Sequence, residues 1–210
     1  MASADTSAPT NRRGQTRARM VRSAAQVLRE RGAAGVTIDE VLARSGAPRG
    51  SVYHHFPDGR SQLLLEALQY AGDSITTLID DAATRGGSAL VRGFVEFWEN
   101  ALTESDFNAG CPVVAAAIGS ADEAPALTPM AGLIFDRWRE ALGRAFRTEG
   151  FDDADAASLA VTCVAALEGA IVLCRSVRTA EPLQDVAGQL EFLIKAKEFV
   201  KRNGVPATGS

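Results

Sequence analysis

Residues 45–56, SGAPRGSVYHHF, concentrate side chains that could do chemistry, and they include the only two histidines of the chain. Adjacent side chains on a helix diverge by about 100°, so His54 and His55 cannot converge on one metal ion or one proton. The sequence holds no third histidine for a metal site or a Ser-His-Asp relay, and no glycine-rich nucleotide fingerprint. These residues therefore predict no enzyme, no metal site and no cofactor.

The same segment is better suited to contact nucleic acid. Placed on a helix, residues 48–56 have a polar side with Arg49, Gly50, Tyr53 and His54 and an apolar side with Val52, His55 and Phe56. Arg49, at the helix start, can donate two hydrogen bonds to guanine O6 and N7. Ser51 can bond a base or a phosphate, whereas Tyr53 and His54 suit phosphate oxygens. The segment therefore predicts a DNA-reading surface.

Two short helices joined by a tight turn would position this surface. Thr37 followed by Glu40 forms a capping box, which starts a helix, and Gly46 ends that helix after about two turns. Pro48 suits the first turn of the next helix because its missing N–H would be unpaired there. An earlier amphipathic helix over 15–31 precedes the pair. The arrangement is typical of a helix-turn-helix.

Basic side chains outside the two short helices are further candidates for phosphate contact. Arg60 begins the next long helix. Arg17 could join Arg12 and Arg13 on the DNA backbone or in a minor groove, and the alternative for these three arginines is a disordered basic tail. Residues 1–60 carry a formal charge of +5 and the remaining residues −9. This split predicts a polyanion-binding module on an acidic body, and the alternative is a solvated basic face.

The rest of the chain shows helical periodicity and no strand-like alternation. Helices are predicted over 61–83, 88–102, 112–119, 128–148, 153–178 and 183–202. The predicted fold is therefore all-α, with about nine helices. The first 14 residues lack an apolar stretch, the longest apolar run is broken by Glu168, and three cysteines without a C-x-x-C pair fit a reducing compartment. We expect a cytoplasmic protein with no membrane partner.

Residues 36–56, VTIDEVLARSGAPRGSVYHHF, resemble the N-terminal signature of the TetR family of transcriptional repressors, and the resemblance covers about residues 17–68. It implies a homodimer of nine- or ten-helix subunits, with three N-terminal helices that bind double-stranded DNA and a C-terminal body for ligand binding and dimerisation. The DNA-contacting positions that it implies are Thr37, Arg49, Gly50, Ser51, Tyr53, His54 and His55. On this basis we expect a flexible tail (1–11), a DNA-binding domain (12–60), a ligand-binding and dimerisation domain (61–203) and a second tail (204–210).

Two departures from the family pattern concern phosphate contacts. Pro48 replaces the usual serine of the turn, and FPDGRSQL is one residue longer than the common F-x-x-K-x-x-L, with Arg60 for the lysine. The PDGR form, GCPVV at 110–114 and LEGA at 167–170 are similar to a subgroup linked to drug-resistance operons.

Aromatic side chains of the body cluster in two stripes at helical spacing. Such stripes line pockets for small apolar ligands, and the alternative is plain core packing. With the pocket that the resemblance implies, the predicted ligand-binding residues are Phe94, Phe97, Trp98, Phe107, Cys111, Phe135, Trp138, Cys163, Leu167, Glu168 and Ile171.

Glu168 interrupts the most apolar helix, where a carboxylate is costly unless it is paired. An ion pair with Arg175 or another arginine is one alternative, and a contact with a donor group of a ligand is the other. Cys163 and Cys174 would lie about 16 Å apart along one helix, which is too far for a disulfide. A redox sensor would therefore need Cys111 or a partner subunit.

Helices 153–178 and 183–202 are predicted to form the homodimer interface, and intramolecular packing is the alternative. The apolar stripe assigned to the second helix comprises Leu183, Val186, Leu190, Leu193 and Ile194. The function predicted is a repressor released from a palindromic operator by a small, largely apolar effector. Alternatives are a redox- or ligand-responsive activator of the same fold, an enzyme in the body, and a module that binds an acidic protein.

Overall fold

A computed structural model describes residues 9–119 and 124–204, and within these ranges the chain forms nine α-helices and no strand. The helices are α1 (Pro9–Gly35), α2 (Ile38–Ser45), α3 (Val52–His55), α4 (Gly59–Ala83), α5 (Gly87–Glu104), α6 (Pro112–Ala117), α7 (Leu127–Thr148), α8 (Asp153–Val177) and α9 (Glu181–Asn203). The prediction of an all-α fold is confirmed, and each helix predicted beyond residue 60 ends within two residues of the observed bounds.

The first helix is longer than the pattern indicated. α1 begins at Pro9, inside the stretch expected to be a tail, and residues 1–8 and 205–210 lie outside the described residues. Gly32 adopts φ 69° and ψ −175°, which breaks the helical backbone where the sequence placed its end. A final turn then resumes and carries the chain to Gly35, so the glycine acts as a kink.

The helix-turn-helix forms through the local signals that predicted it. The Thr37 hydroxyl accepts a hydrogen bond from the Glu40 N–H at 3.2 Å and caps α2, and Gly46 ends that helix in the left-handed region at φ 63°. The expected single helix over 48–56 is instead a 3-10 turn, Arg49–Ser51, followed by α3. Pro48 is extended at ψ 140°, and the Ser51 hydroxyl donates to the Pro48 carbonyl at 2.6 Å, which favours the tighter turn.

The body surrounds one continuous core that also reaches the N-terminal helices. α7 packs on α4, α6 and α8, α9 packs on α5 and α8, and α1 packs on α2, α4 and α6. Trp98 and Trp138 are fully buried, and the Trp138 indole N–H donates to the Thr76 hydroxyl at 3.0 Å. Because α1 and α4 each touch both regions, they are the mechanical connection between them.

The prediction that the α9 stripe contributes to the dimer interface is wrong, because the stripe packs in the core of its own subunit. Leu183, Leu190 and Ile194 are buried, and Val186 and Leu193 pack partly buried against the same core. Large apolar side chains are exposed instead on the other sides of α8 and α9, and they are Val161, Val172, Leu173, Val177, Phe192, Phe199 and Val200. We call this set the outer face.

Among the described residues, α8 is the one helix that is long and apolar enough to cross a membrane by length and composition, and the core helix of a soluble protein passes the same test. Its inner side is buried among other helices at Leu159, Cys163 and Leu167. Its hydropathy is therefore explained by a packed inner side and the outer face together.

Candidate DNA interface and ligand-binding region

Residues 48–56, here called the reading segment, divide into a buried and an exposed side as the sequence predicted. Val52 and Phe56 are fully buried, whereas Tyr53 and His54 are exposed, Tyr53 to 66%. The Arg49 side chain is 87% exposed, and a Cβ at Gly50 would meet no atom within 4 Å. Three functional groups and an open backbone position therefore face outward together.

Arg49 has one weak partner within the protein. Its Nη2 lies 3.5 Å from Oδ1 of Asp39, and both side chains are almost entirely in solvent. An exposed pair of this kind contributes little to stability because water screens it. The guanidinium can exchange Asp39 for a base edge at low cost.

The capping box of α2 is only half formed. Thr37 caps the helix, but the Glu40 carboxylate accepts from Arg44 Nε at 2.7 Å and lies 3.3 Å from Arg31 instead of reaching back to the Thr37 N–H. The Arg44 hydrogen bond holds the pKa of Glu40 below its usual range. The exposed N-terminus of α2 keeps its positive end toward solvent, where a phosphate can approach.

The structure contradicts the predicted phosphate contacts of Arg17 and Arg60, because both guanidinium groups are engaged within the protein. Arg60 donates to the carbonyls of Val36 and Ala33 at 2.7 and 2.6 Å. Arg17 pairs with Glu66 at 2.6 Å and stacks over the Phe56 ring at 5.0 Å. These arginines tie α4 to α1 and to the reading segment. The Arg13 side chain is exposed, and that of Arg12 lies outside the described residues.

His55 differs from its neighbour in environment. It is half-buried, and burial together with the positive charges of His54, Arg13 and Arg17 lowers its pKa below 6.5. The imidazole is therefore neutral near pH 7, so its contact with a phosphate would be that of a neutral donor.

Most residues predicted to bind a ligand are core residues and do not line an open cavity. Most of them lie on α5, α7 and α8, and Cys111 precedes α6. The fully or almost fully buried ones are Phe94, Trp98, Cys111, Trp138, Cys163, Leu167, Glu168 and Ile171. Phe107 and Phe135 pack partly buried against the same core. These side chains therefore pack as core in this structure, and two of their buried polar groups, the Glu168 carboxylate and the Trp98 indole N–H, have no hydrogen-bond partner among the described residues.

Glu168 does not form the ion pair with Arg175 that the sequence offered as one alternative. Arg175 donates to the Asn108 carbonyl at 2.8 Å and to the Glu30 carbonyl at 3.3 Å. Among the described residues, neither Glu168 carboxylate oxygen has a hydrogen-bond partner, and burial raises its pKa to about 7. The Cys111 thiol is near enough to lower that pKa in part, but its geometry falls short of a hydrogen bond.

Two open grooves instead meet between the DNA-binding helices and the body. The larger, of about 430 Å³, lies between the end of α1 and the end of α5. The smaller, of about 230 Å³, lies between α1, α4 and α5. Gln26, Arg29 and Phe97 line both, so the structure places Phe97, a predicted ligand residue, at a cavity.

Sequence reasoning missed the α1 residues of these grooves. Arg22, Gln26 and Arg29 recur at i, i+4 and i+7 beside the apolar stripe, and this polar row was the available signal. Nothing local in the sequence indicates that Phe97 of α5 lies beside this row.

Comparison with known proteins identifies the family to which this architecture is similar. Residues 21–67 match the family described as "Bacterial regulatory proteins, tetR family". Residues 88–189 match "Transcriptional regulator LmrA/YxaF-like, C-terminal domain". The two matches correspond to the helix-turn-helix region and to most of the helical body.

Whole-length similarity agrees with these matches. The chain is 42% identical over 187 residues to an uncharacterized HTH-type transcriptional regulator of Mycobacterium tuberculosis H37Rv, covering 86% of this chain and 95% of that protein. It is 25% identical to YxaF of Bacillus subtilis, also an uncharacterized HTH-type regulator, covering 88% and 98%. A TetR transcriptional regulator from Chloroflexus aurantiacus superposes with a TM-score of 0.72 at 26% identity, covering 88% and 96%. The chain therefore belongs to the TetR family of bacterial transcriptional regulators, which are not enzymes.

Proposed function

We propose that this regulator is a homodimeric cytoplasmic repressor that binds a palindromic operator and leaves it when a small ligand binds. The observation that carries the proposal is the exposed side of the reading segment. Arg49, Tyr53 and His54 are exposed, while Val52 and Phe56 are fully buried and anchor the backbone beneath them. A rigid anchor below three exposed polar groups suits entry into a major groove.

Each exposed group has a distinct role in this proposal. Arg49 donates two hydrogen bonds to a guanine, and the open backbone at Gly50 allows close approach. Tyr53, His54 and the N-terminus of α2 at Thr37 contact phosphates and fix the register. Ser51 already donates its one O–H to the Pro48 carbonyl at 2.6 Å, so its hydroxyl oxygen would accept from a base amino group.

The outer face of α8 and α9 supports dimerisation. Val161, Val172 and Phe192 are exposed to 46%, 49% and 69%, and large apolar side chains exposed together on two neighbouring helices are typical of an interaction site. Two copies paired through this face would present two reading segments. Binding to half-sites one helical turn apart, about 34–36 Å, then requires a palindrome.

Coupling between ligand and DNA has two physical routes through the subunit. α4 runs from the reading segment into the body, and Arg60 and Arg17 tie its start to α1 and Phe56. The body also holds the end of α1 directly, because the Gly110 N–H donates to the Arg29 carbonyl at 2.9 Å and Arg175 bonds the Glu30 carbonyl. A ligand that fits best when these contacts shift lowers DNA affinity, typically by about 5–150-fold, and DNA weakens the ligand equally.

A redox trigger is not favoured by the thiols. Cys111, Cys163 and Cys174 are free and buried, and burial raises all three thiol pKa values, that of Cys163 to about 12. Reactive cysteines are exposed thiolates, so these thiols lack both properties. We therefore propose a small molecule as the signal.

The test is selection of random duplex DNA on the full-length protein, followed by titration of the selected duplex. We expect a palindrome with a guanine in each half-site, bound with an affinity that falls steeply as salt rises. Arg49→Ala should lose about 1–3 kcal/mol of binding free energy and relax preference at that guanine alone, measured by fluorescence anisotropy on all single-base variants. Arg139→Ala, which removes an exposed arginine of α7, is the matched control and should bind as the unmodified protein does.

Selection that returns no enriched sequence would contradict the function. An Arg49→Ala protein that keeps an unchanged preference at every base pair would contradict the role of Arg49 as the base reader.

A further inference from the structure

The smaller groove between α1, α4 and α5 has a positively charged lining. Of the described residues that line it, two are arginines and none is acidic. The full lining is Arg22, Ala25, Gln26, Arg29, Tyr70, Ala71, Ser74, Ile75, Phe97 and Pro112. The adjoining larger groove contains Glu30 and Glu104, so an anion is favoured only in the smaller one.

Arg29 has a buried guanidinium nitrogen without a hydrogen-bond acceptor among the described residues. Its Nε is buried and has no hydrogen-bond partner among the described residues, although the guanidinium lies over the Trp98 ring at 5.4 Å. Burial lowers the pKa of Arg29, which reports the cost of removing this cation from water. The nearby Glu30 is already paired with Arg44 at 2.9 Å. An anion in the groove would offset the charge of this guanidinium, which lines the groove wall.

Arg22 supplies a second cation on the same side of α1. It lies seven residues before Arg29, so the two side chains share a helix face about 10 Å apart along the axis, with Gln26 between them. Arg22 is exposed, and no hydrogen bond or ion pair ties it to another described residue. Guanidinium groups match the planar, two-oxygen geometry of a carboxylate.

The remaining walls are aromatic and aliphatic. Phe97 from α5 and Tyr70 from α4 present rings, and Ile75 and Pro112 close the apolar side. A volume of about 230 Å³ is below that of pockets for drug-sized ligands, so the groove suits one ring or two fused rings.

We propose that this groove binds a small aromatic carboxylate, with the carboxylate held by Arg22 and Arg29 and the ring against Phe97 and Tyr70. The proposal builds on the function proposed above and names the chemical class of the signal. The ligand would bridge α1 of the DNA-binding domain to α4 and α5 of the body, and therefore bias the connection through which the two regions communicate.

The test uses 1-naphthoate and its neutral isostere 1-naphthamide as probes, titrated calorimetrically into the full-length protein. We expect naphthoate to bind and naphthamide to bind at least about tenfold more weakly, since the charged hydrogen bonds are lost. Arg22→Gln and Arg29→Gln should each weaken naphthoate by about tenfold or more. Arg19→Gln, an exposed α1 arginine outside the groove lining, is the matched control and should bind naphthoate unchanged.

Thermal unfolding of each variant shows whether the variant is still folded. If Arg29→Gln unfolds, the affinity of Arg22→Gln for naphthoate is the decisive measurement, because Arg22 is exposed. Equal affinity for the acid and the amide, no naphthoate binding at millimolar concentration, or unchanged binding to Arg22→Gln would overturn the site. DNA binding is measured on the same samples without ligand. If the unmodified protein does not bind the operator, the proposed function is refuted. If it binds the operator but does not bind naphthoate, only this inference is refuted.

Discussion

Glu168 is an ionisable side chain in an environment that disfavours its charged form. It is 7% exposed on α8, and no described residue gives its carboxylate a hydrogen bond. A buried carboxyl group without a partner avoids the charged form, which is why its pKa rises to about 7. The group is therefore largely protonated in the folded state under mildly acidic conditions, when the unfolded chain has already released the proton.

This difference predicts a pH-dependent stability that Glu168→Gln removes. The pKa of Glu168 in the folded state is raised above the ordinary 4.5. The contribution of Glu168 to the free energy of unfolding is therefore most favourable below about pH 4.5 and falls as pH rises toward 7. Relative to the unmodified protein, the variant should gain up to about 3 kcal/mol across that window. Urea unfolding at a series of pH values and one protein concentration measures it. Glu140→Gln, on an exposed part of α7, is the control, and a Glu168→Gln curve parallel to that of the unmodified protein would contradict the prediction.

At the scale of the elements, the turn of the helix-turn-helix depends on one backbone conformation. Gly46 adopts φ 63° and ψ 24°, and its N–H donates to the Leu42 carbonyl at 3.0 Å to end α2. A side chain in the left-handed region is strained even where there is space, and a Cβ at Gly46 would meet no atom within 4 Å. The cost of substitution here is thus conformational and not steric.

We expect Gly46→Ala to lower the free energy of unfolding by about 1 kcal/mol. Gly50→Ala adds the same methyl group four residues later, also in open space but without positive φ, and should leave stability unchanged while it weakens operator binding. Chemical denaturation and anisotropy titration of both variants separate the two effects. If Gly50→Ala destabilised the fold as much as Gly46→Ala, the distinction between strain and DNA approach would be lost.

At the scale of the whole molecule, the arrangement of α8 and α9 decides what the second subunit would contact. Their inner sides hold the core through Cys163, Leu167, Leu190 and Ile194, and their outer sides carry the outer face. The subunit therefore has its own complete core and a separate apolar surface. Dimerisation through that surface would set the distance between the two reading segments.

Phe192→Glu should convert the proposed dimer to a monomer, because a charge replaces an apolar side chain that is 69% exposed on the outer face. Light scattering after size-exclusion chromatography measures the mass, and operator affinity should fall by at least about a hundredfold when the two half-sites are no longer bound together. Leu133→Glu is the matched control, because Leu133 is 61% exposed on α7, outside the outer face. A Phe192→Glu protein that remains dimeric would show that another surface holds the subunits.

The sequence by itself determined the helices beyond residue 60, the cap at Thr37, the glycine turn and the two-sided reading segment, because these depend mainly on neighbours within four residues. Only the tertiary structure decided which polar groups are already bonded within the protein. Arg17, Arg49 and Arg60 are the same residue type, but contacts with α1, α4 and Phe56 engage Arg17 and Arg60. The same holds for apolar stripes, since helical periodicity marks a face to be buried without saying which surface buries it. Packing between distant segments made the α9 stripe a core and placed Arg22 and Arg29 in a groove with Phe97.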